Sequence, residues 1–395
     1  MPLQYWVFDP SPCHFPKPRV SVLPSTFERM AGSESMAQCV QRRLKGATRH
    51  FSHGRYALSE AYRLGGLDQN SALMAPAYHC VTMLDPALAL GAEVQLYPLT
   101  AGLSPDPDKL NEIFAQSAKP IKVLLATHFF GFVQDFSWLK QWCAERGVTL
   151  VEDCSHVLFS EHYQAEGAGR FGKFIASSPY KFFPSVDGGL LYAPGARLLD
   201  GVATQSAAWL AELRGIKRSF ERSRLPRILT SDIDLLDQQL DAVTQGAMVP
   251  GVDRNLQRQA QSTQYSEGAT RVGSLRSSRW VIDHSSIDGN VTRRQANYRR
   301  WLKALADVPN CHALYPELPD HCAPYMFPLY VDFPMPHFYW LKQMGVPVWR
   351  WDEMAVSTCP VARDYRLHLL HLPCHQSLSE YELNWILAAT QKVLG

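Results

Sequence analysis

The sequence has nine cysteines but no CxxC pair, no excess of charge of one sign and no long apolar run. Without a CxxC pair, neither a zinc ribbon nor a dithiol redox motif is indicated. The 39 basic and 37 acidic residues nearly cancel, so we expect no nucleic-acid partner and no anionic membrane surface. No apolar run reaches the roughly 18 residues that a membrane span needs, so we expect no membrane partner either.

The N-terminal residues, MPLQYWVFDPSP, lack the basic segment and apolar core of a signal peptide. The odd number and scattered spacing of the cysteines are typical of a protein whose thiols stay reduced. We therefore expect a cytoplasmic location. A locally basic segment at residues 214–227 is interleaved with glutamates, and we interpret it as a solvated face.

A chain of 395 residues predicts two or three domains. Its hydrophobic residues (46%) and charged residues (19%) are in the proportions of an ordinary globular protein. We predict an N-terminal segment at 1–50, a large α/β domain at 51–200, a helical segment with a polar loop at 201–280, and a smaller α+β C-terminal domain at 281–395.

Short apolar runs alternate with helical patterns between residues 51 and 200. Such runs are typical of strands that are buried on both faces. The alternation predicts a mostly parallel sheet with right-handed crossovers. The predicted strands cover 72–76, 94–98, 123–127, 149–152, 174–177 and 189–192, and the predicted helices cover 57–64, 81–90, 107–116 and 136–146.

Outside that region the pattern predicts further helices and a return to strands near the C-terminus. A polar stretch at 254–279 is interpreted as a partner surface or as a loop over the site. The helices are expected at 27–44, 203–214, 232–247, within 280–306, at 337–344 and at 380–393, and the strands at 327–333 and 346–349.

The first candidate site residue is Asp153, in the segment VEDCSH. A carboxylate that follows a parallel strand lies at the sheet edge where open α/β sheets bind ligands. Taken alone, such an aspartate is equally consistent with a helix cap.

The second candidate is Lys181, in the segment SSPYKFFPSVDGG at 177–189. Desolvation lowers the pKa of a lysine and exposes a nucleophilic amine, which an imine with an aldehyde requires. The paired glycines that follow allow backbone geometry closed to other residues. Taken alone, the segment is equally consistent with a loop that carries an exposed lysine.

The third candidate is Gly54, in the segment HGRYAL at 53–58, which leads into a predicted helix. Free N–H groups at a helix start bind phosphate, although most glycine-containing helix starts bind nothing. A pyridoxal phosphate (PLP) site needs a phosphate cradle, an acid at the pyridine nitrogen and a lysine at the aldehyde carbon. Gly54, Asp153 and Lys181 occur in that chain order, so together they predict a PLP enzyme.

The same segments resemble those of the fold-type I aminotransferases of the DegT–StrS group, many of which act on nucleotide-linked keto sugars. The resemblance extends over residues 50–195 and returns faintly near the C-terminus. It implies an aspartate-aminotransferase-like fold and a homodimer that completes its site from two subunits. The matching segments are HGRYAL, MAPAYHCVTMLDPALALGAEVQLYPL, ATHFFG, VEDCSH and SSPYKFFPSVDGG, followed by RRQANYRRWLKAL and LHLPCHQSLSEYEL.

The resemblance assigns chemical roles to three residues. Lys181 would join covalently to the cofactor aldehyde and would then move a proton between the substrate carbon and the cofactor. Asp153 would pair with the pyridinium nitrogen, which keeps that nitrogen protonated. His156 matches the position that contacts the 3-oxygen of the cofactor.

The resemblance also assigns a phosphate site. Gly54 and Arg55 would offer backbone N–H groups, and Ser177 or Ser178 a hydroxyl. The loop of the group often reads Ser-Gly-Thr where this chain reads HGR. The serine that the group carries five residues before the lysine is Ala176 here, which leaves the hydroxyl to its neighbours.

Three further departures concern the cofactor ring and the dimer. The ring-stacking aromatic of the group falls at Cys80, so we expect Tyr78 or His79 to cover the ring instead. Asp187 replaces the usual glutamate before the paired glycines. The Asn-x-Arg segment with which the group builds the site across the dimer is not found.

The leading hypothesis is an aminotransferase that moves an amino group from an amino-acid donor to a keto acceptor, such as a keto sugar. The second is another PLP reaction on the same scaffold: elimination, decarboxylation or C–C bond formation. The third is a non-catalytic binding protein that retains the fold.

Two other sets of residues contain side chains that could bind a ligand. His128 is expected to be structural, and a metal cluster of His128, Cys154 and His156 is not expected because Lys181 would then have no role. Arg350 either holds a substrate carboxylate bidentately or packs at the surface between two tryptophans.

Overall fold

The computed structural model describes residues 3–29, 46–159, 167–223, 228, 231–246, 252–257 and 262–395. The helix predicted at 27–44 lies almost wholly outside these residues. The described strands are β1 (Gln4–Asp9), β2 (Ala47–Phe51), β3 (Ala72–Pro76), β4 (Glu93–Tyr97), β5 (Ile121–Thr127), β6 (Thr149–Asp153), β7 (Phe174–Ser177), β8 (Gly189–Ala193), β9 (Val252–Gln257), β10 (Cys311–Ala313), β11 (Met326–Val331), β12 (Met354–Ala355) and β13 (Leu369–Pro373).

Twelve α-helices lie among the described residues. They are α1 (Gly54–Leu64), α2 (Val81–Ala89), α3 (Pro107–Gln116), α4 (Ser137–Arg146), α5 (Trp209–Ser223), α6 (Ser231–Asp234), α7 (Leu236–Gln245), α8 (Arg276–His284), α9 (Ile287–Leu305), α10 (Pro334–Gln343), α11 (Pro360–His368) and α12 (Glu380–Leu394). Among the described helices, none is both long and apolar enough to cross a bilayer.

Seven strands form the central sheet, in the order β2-β8-β7-β6-β5-β3-β4. The strands from β7 to β4 run parallel, whereas β8 and β2 join antiparallel at one side. The predicted mostly parallel sheet is therefore confirmed. Every residue of β3, β7 and β8 is buried, as expected for strands that are covered on both faces.

Apolar side chains pack on both faces of this sheet. In β5, Val123 and Leu125 face the cluster that contains α1 and α2, and Leu124 and Ala126 face the cluster that contains α3 and α4. Successive side chains of a strand point to opposite faces, so one strand serves both cores. The carboxyl ends of β5, β6 and β7 are thereby held side by side at one edge of the sheet.

The C-terminal region has its own α+β core. Strands β10, β11 and β13 form an antiparallel sheet, and α9, α10 and α12 pack on it. Trp301 and Trp385 are fully buried, and Trp301 stacks on Phe327 with ring centres 5.5 Å apart. Helix α12 begins with a capping box between Ser379 and Glu382.

A third sheet, β12-β1-β9, pairs segments from the two ends and the middle of the chain. Strand β9 extends into the stretch at 254–279 that was interpreted from its polarity as a partner surface or a loop over the site. The strand predicted at 346–349 is wrong: within it only Trp349 forms an isolated bridge, to His371. The helix predicted at 203–214 instead spans Trp209–Ser223.

Candidate active site

Two neighbouring carboxylates end strand β6, and they have different surroundings. Glu152 is fully buried; it accepts hydrogen bonds from three backbone N–H groups within 169–172 and from His128. Asp153 accepts the Ser155 N–H at 2.9 Å through Oδ1, whereas its buried Oδ2 has no hydrogen-bond partner among the described residues. An unpaired buried oxygen is costly, so Asp153 is suited to accept a hydrogen bond from a ligand.

His128 is part of the structural support of Glu152. Its Nδ1 accepts the N–H of Gln134 at 3.1 Å, so Nε2 carries the hydrogen that is donated to Glu152 at 2.9 Å. The Phe136 ring stacks on it at 4.7 Å. Cys154 completes a group close enough to hold a metal ion, but protein donors already occupy the Glu152 oxygens.

Lys181 ends a short 3-10 turn, Pro179–Lys181, directly after β7. No hydrogen bond joins its Nζ to any residue that the structure describes, and this atom lies 5.4 Å from the ring centre of Tyr325. Burial lowers the pKa of Lys181, while the negative charge of Asp153 opposes this effect. A lowered pKa leaves more of the amine in its nucleophilic form at neutral pH.

Helix α1 begins at Gly54 with its first backbone N–H groups unused. The N–H groups of Tyr56 and Ala57 donate to the carbonyl of His53, whereas those of Gly54 and Arg55 have no acceptor in the described part of the chain. Free N–H groups in the first turn of a helix attract phosphate. The start of α1 is therefore suited to hold a phosphate.

Close packing around this helix start explains the glycines of the motifs. A Cβ at Gly54 would lie 2.1 Å from Ser178 Oγ and 3.3 Å from Ser155 Oγ. Ser178 donates to Ser155 at 3.0 Å, so two hydroxyls border the cradle. A Cβ at Gly189 would lie 2.3 Å from the carbonyl of His53, so the glycine lets β8 pass directly beneath this turn.

These groups line one cavity, so the predicted acid and amine face the same space. The cavity is lined by His53, Gly54, Arg55, Leu58, Cys80, Thr82, Met83, Asp153, Ser155, Ser178, Tyr180 and Lys181.

The residues of this cavity fit PLP. The unpaired Oδ2 of Asp153 could accept the N–H of the ring nitrogen, and the free N–H groups of α1 with Ser178 could hold the phosphate. Lys181 faces the same cavity and could reach the aldehyde carbon. The side chain of Ser177 is instead buried without a partner among the described residues, because successive residues of a strand alternate in direction.

Tyr78 and His79 do not line this cavity, so the expectation that one of them covers the ring is corrected. The Tyr78 hydroxyl pairs with Nε2 of His371 at 2.8 Å. His79 uses Nδ1 on two carbonyls of its own turn, and its Nε2 accepts the N–H of Ala355 at 3.1 Å. The turn after β3 directs both rings away, and Cys80 lies at the cavity wall.

His156 lies beside the cavity in a fixed tautomer. Its Nδ1 accepts the N–H of Phe130 at 3.2 Å, so Nε2 carries a hydrogen that suits an oxyanion such as the 3-oxygen of the cofactor. Burial lowers the pKa of His156 and keeps the ring neutral. Phe130 has a φ of 57° and Gly131 a φ of 99°, so a strained turn aims this N–H at the histidine.

Three residues of the C-terminal region complete the site and were not predicted. The Tyr325 ring stacks on His156 at 4.4 Å. Buried His371 has a pKa lowered to about 3, first by burial and then by the charge of Lys181. Arg294 donates to the backbone carbonyl of Lys181 at 3.3 Å. Two of these three lie in segments that carry the family resemblance, but local sequence gives no sign of the contacts.

Arg350 does not face the cavity. It pairs with Asp352, and its guanidinium lies 4.0 Å from the ring centre of Phe338. Arg350 is only 8% exposed. The alternative expectation, that it packs at the surface between two tryptophans, is therefore also wrong. The residue supports the C-terminal core.

The described part of the polar stretch packs against α1 and α2. Ser262 bonds to the buried carboxylate of Asp85, and the hydroxyls of Tyr265 and Ser59 are 2.8 Å apart. Further along, Asp187 accepts the N–H of Leu275 at 3.1 Å. This acid before the paired glycines therefore ties the lysine loop to the start of α8.

Comparison with known proteins indicates the family that this sequence resembles. Residues 48–208 match the model of the DegT/DnrJ/EryC1/StrS aminotransferase family. The recognition made from the motifs is thereby confirmed. Residues 48–208 therefore carry the sequence pattern of the DegT–StrS group of aminotransferases. Members of this family depend on PLP, so the predicted transferase class and cofactor are confirmed with it.

The names of two curated relatives describe enzymes of nucleotide sugars. The dTDP-4-dehydro-2,3,6-trideoxy-D-glucose 4-aminotransferase of Saccharopolyspora spinosa is 23% identical over 300 residues, which is 73% of this chain and 71% of the relative. The GDP-perosamine synthase of Vibrio cholerae is 26% identical over 159 residues, 38% of this chain and 40% of the relative.

Solved structures share the fold. A DegT/DnrJ/EryC1/StrS aminotransferase from Brucella abortus superposes with a TM-score of 0.59 at 16% identity, covering 91% of this chain and 89% of that chain. An aminotransferase of pseudoaminic acid biosynthesis from Helicobacter pylori gives 0.61 at 12% identity, with 95% and 99% covered. The predicted fold class, including the smaller C-terminal unit, is confirmed.

Proposed function

We propose that this DegT–StrS aminotransferase moves an amino group from an amino-acid donor to the carbonyl carbon of a keto sugar, with Lys181 as the lysine that carries the cofactor. The single observation that supports this best is the cavity shared by Lys181, Asp153 and the start of α1. Bound PLP supplies an electron sink next to the reacting carbon. The names of both curated relatives support a sugar acceptor.

The proposed site residues in and beside the cavity then have defined tasks. Asp153 holds a proton at the ring nitrogen through Oδ2, and His156 donates Nε2–H to the 3-oxygen. Gly54 and Arg55 bind the phosphate with backbone N–H groups, and Lys181 moves the proton at the substrate carbon.

The buried surroundings favour this chemistry. The Lys181 amine is desolvated, which lowers its pKa and leaves it able to accept a proton near neutral pH. Cys80 borders the cavity at the position where an aromatic ring was expected. We infer that the ring of the cofactor packs against this thiol rather than against a second aromatic ring.

The test is an absorption spectrum of the loaded enzyme before and after candidate amino acids are added. A donor such as glutamate should convert the spectrum to that of the pyridoxamine form, and a keto sugar linked to a nucleotide should restore the first spectrum. A keto acid that restores it while a panel of keto sugars does not would overturn the sugar assignment. If no donor changes the spectrum, transamination is wrong and another PLP reaction or a non-catalytic role takes its place.

We also infer a homodimer, which the resemblance implied. The support is an apolar stripe on α5, made of Trp209, Leu213, Ile216 and Phe220, which are 42–69% exposed. Residues at this spacing share one face of a helix, and an exposed apolar face of this kind is typical of an interface. Leu213→Glu should lower the sedimentation coefficient to that of a monomer, and Arg218→Glu on the charged face of α5 should not.

A cytoplasmic location is proposed from the thiols. All eight cysteines that lie in described residues are free, which is typical of a reducing compartment.

A further inference from the structure

The ring of Tyr325 faces the amine of Lys181. The Nζ atom lies 5.4 Å from the ring centre, within the range of a cation–π contact. His156 stacks on the same ring, with centres 4.4 Å apart and planes inclined by 24°. Tyr325 is 6% exposed, so the contact is largely shielded from water.

One guanidinium fixes the ring and the lysine relative to each other. Arg294 donates through Nη1 to the carbonyl of Tyr325 at 3.2 Å and through Nη2 to the carbonyl of Lys181 at 3.3 Å. Arg294 is itself fully buried and stacks on Phe182 at 4.8 Å. The Tyr325 N–H donates to the carbonyl of Phe130 at 2.8 Å, so the tyrosine is held on both sides.

A transamination cycle creates a need for such a contact. Resting on the proposed function, Lys181 is covalently engaged at the start and is released when the amino donor takes its place. The released amine must then accept a proton in a site where burial disfavours a charge. None of the described carboxylates forms a hydrogen bond with Nζ, and Asp153 is assigned to the ring nitrogen.

We propose that Tyr325 is a positioning residue that holds the released, protonated amine of Lys181 against the face of its ring during turnover. The face of an aromatic ring is electron-rich and attracts a cation without removing its proton. Burial raises the pKa of the Tyr325 hydroxyl, so the phenol stays neutral and acts through its face. The ring of a phenylalanine would serve in the same way, and an aliphatic side chain would not.

The first measurement uses the full chain without added cofactor. The rate at which acetic anhydride labels Lys181 is followed by mass spectrometry as a function of pH, with exposed Lys303 as the internal reference. Tyr325→Leu should lower the pKa of Lys181 by about one pH unit, because the stabilised charge is lost. Tyr325→Phe should retain the wild-type value. Tyr330→Leu, which removes a ring from β11 away from the lysine, is the matched control.

The second measurement uses the loaded enzyme and an amino donor. Tyr325→Leu should lower kcat about tenfold while the KM of the donor changes less than twofold, because the contact forms only after the donor has bound. Circular dichroism identifies variants that do not fold. Tyr325→Met fills more of the space of the ring without its electron-rich face, and it replaces Tyr325→Leu if that variant is unfolded.

The outcomes are distinct. A lower pKa in the aliphatic variants with retention in Tyr325→Phe supports the inference. An unchanged or raised pKa in the aliphatic variants overturns it, as does a Tyr325→Phe variant that behaves like Tyr325→Leu. Failure of the proposed function would be recognised by a different result. In that case wild-type protein would form no borohydride-stable adduct of PLP at Lys181, whatever the labelling shows.

Discussion

The edge of the central sheet and the C-terminal region make different contributions to the site. The sheet edge supplies charged and hydrogen-bonding groups, with Asp153 at the end of β6, Lys181 after β7 and free N–H groups at the start of α1. The C-terminal region supplies buried rings, Tyr325 and His371, and one guanidinium that bonds to carbonyls. The first set contains the groups that can react. The second set shields these groups from water and fixes the position of the lysine side chain.

The two sets are held in place by different parts of the structure. The sheet-edge groups are fixed by the backbone of adjacent parallel strands, where Thr127 lies opposite Asp153 and Asp153 opposite Ala176. The C-terminal rings are fixed by docking at the Phe130–Gly131 turn. A change at that turn should therefore affect both regions, whereas a change at Asp153 or Lys181 should affect chiefly the chemistry.

Gly131→Ala should have the largest effect, because it acts where the two regions meet. A Cβ at residue 131 would lie 2.3 Å from the Ala323 carbonyl, and the φ of 99° is unfavourable for alanine. Overpacking and strain should together lower the free energy of unfolding by about 2–5 kcal/mol, measured in urea. Gly147→Ala has a φ of 64° and no neighbour within 4 Å, so it should cost only about 1–2 kcal/mol. Equal losses in the two variants would contradict the docking role of Gly131.

Asp153→Asn should reduce kcat on the order of a hundredfold, because a neutral amide does not keep the ring nitrogen protonated. The fold should change little, since Ser155 N–H can still donate to the side-chain oxygen. Glu152→Gln is the matched control. It should lower the midpoint of thermal unfolding, whereas the kcat of the protein that remains folded should fall much less than in Asp153→Asn. If the two substitutions exchange these effects, the assignment of the two carboxylates is wrong.

Gly54→Ala should weaken cofactor binding without removing any side chain. The new Cβ would lie 2.1 Å from Ser178 Oγ, and displacing that hydroxyl should cost about 1–3 kcal/mol. The Kd for PLP, measured by fluorescence titration, should rise at least about tenfold. Gly102→Ala has its nearest neighbour at 3.9 Å and should leave the Kd unchanged. An unchanged Kd in Gly54→Ala would argue against a phosphate cradle at α1.

Much of the sheet edge could be predicted from the sequence. The strands at 72–76 and 174–177 and the helix at 107–116 are found with those bounds, because short buried runs and helical periodicity are local signals. Asp153 and Lys181 could be recognised because each follows a strand that was predicted between residues 51 and 200. Site residues and domain bounds remain predictions, although the cavity brings most of the proposed site residues together.

The C-terminal half of the site could not be predicted in this way. Tyr325, His371 and Arg294 reach Lys181 only through tertiary packing, and nothing in the adjacent sequence indicates it. Strand β1 pairs with β9 and β12, which lie far along the chain, so no local pattern predicts this sheet. Tyr78 and His79 were assigned to the ring because they adjoin Cys80, but side-chain direction at a turn is decided by the contacts available there.

Lowering the pH should decrease the free energy of unfolding, with a smaller effect than the substitutions above. Five buried or half-buried histidines have lowered pKa values, mainly because of desolvation: about 4 for His50, His53 and His79, and about 3 for His371 and His375. Their unfolded pKa is about 6.5, so their stabilising effect is complete above that pH and is lost as the pH falls towards 4 and 3.

The size of this loss can be measured by urea unfolding between pH 7 and 4. Each histidine should contribute a slope of up to about 1.4 kcal/mol per pH unit below 6.5. His375→Gln should reduce the total slope, and the same change at exposed His321 should not. A slope that does not change in His375→Gln would show that this ring is charged in the folded state.

The central claim is that the amine at position 181 carries the cofactor, and covalent capture tests it most directly. Wild-type protein is mixed with PLP, reduced with borohydride, digested and analysed by mass spectrometry. The account predicts one modified peptide, which contains Lys181, and its absence from Lys181→Arg, with Lys173→Arg modified like the wild type. A modified lysine elsewhere in the wild type, or an adduct that persists in Lys181→Arg, would contradict it.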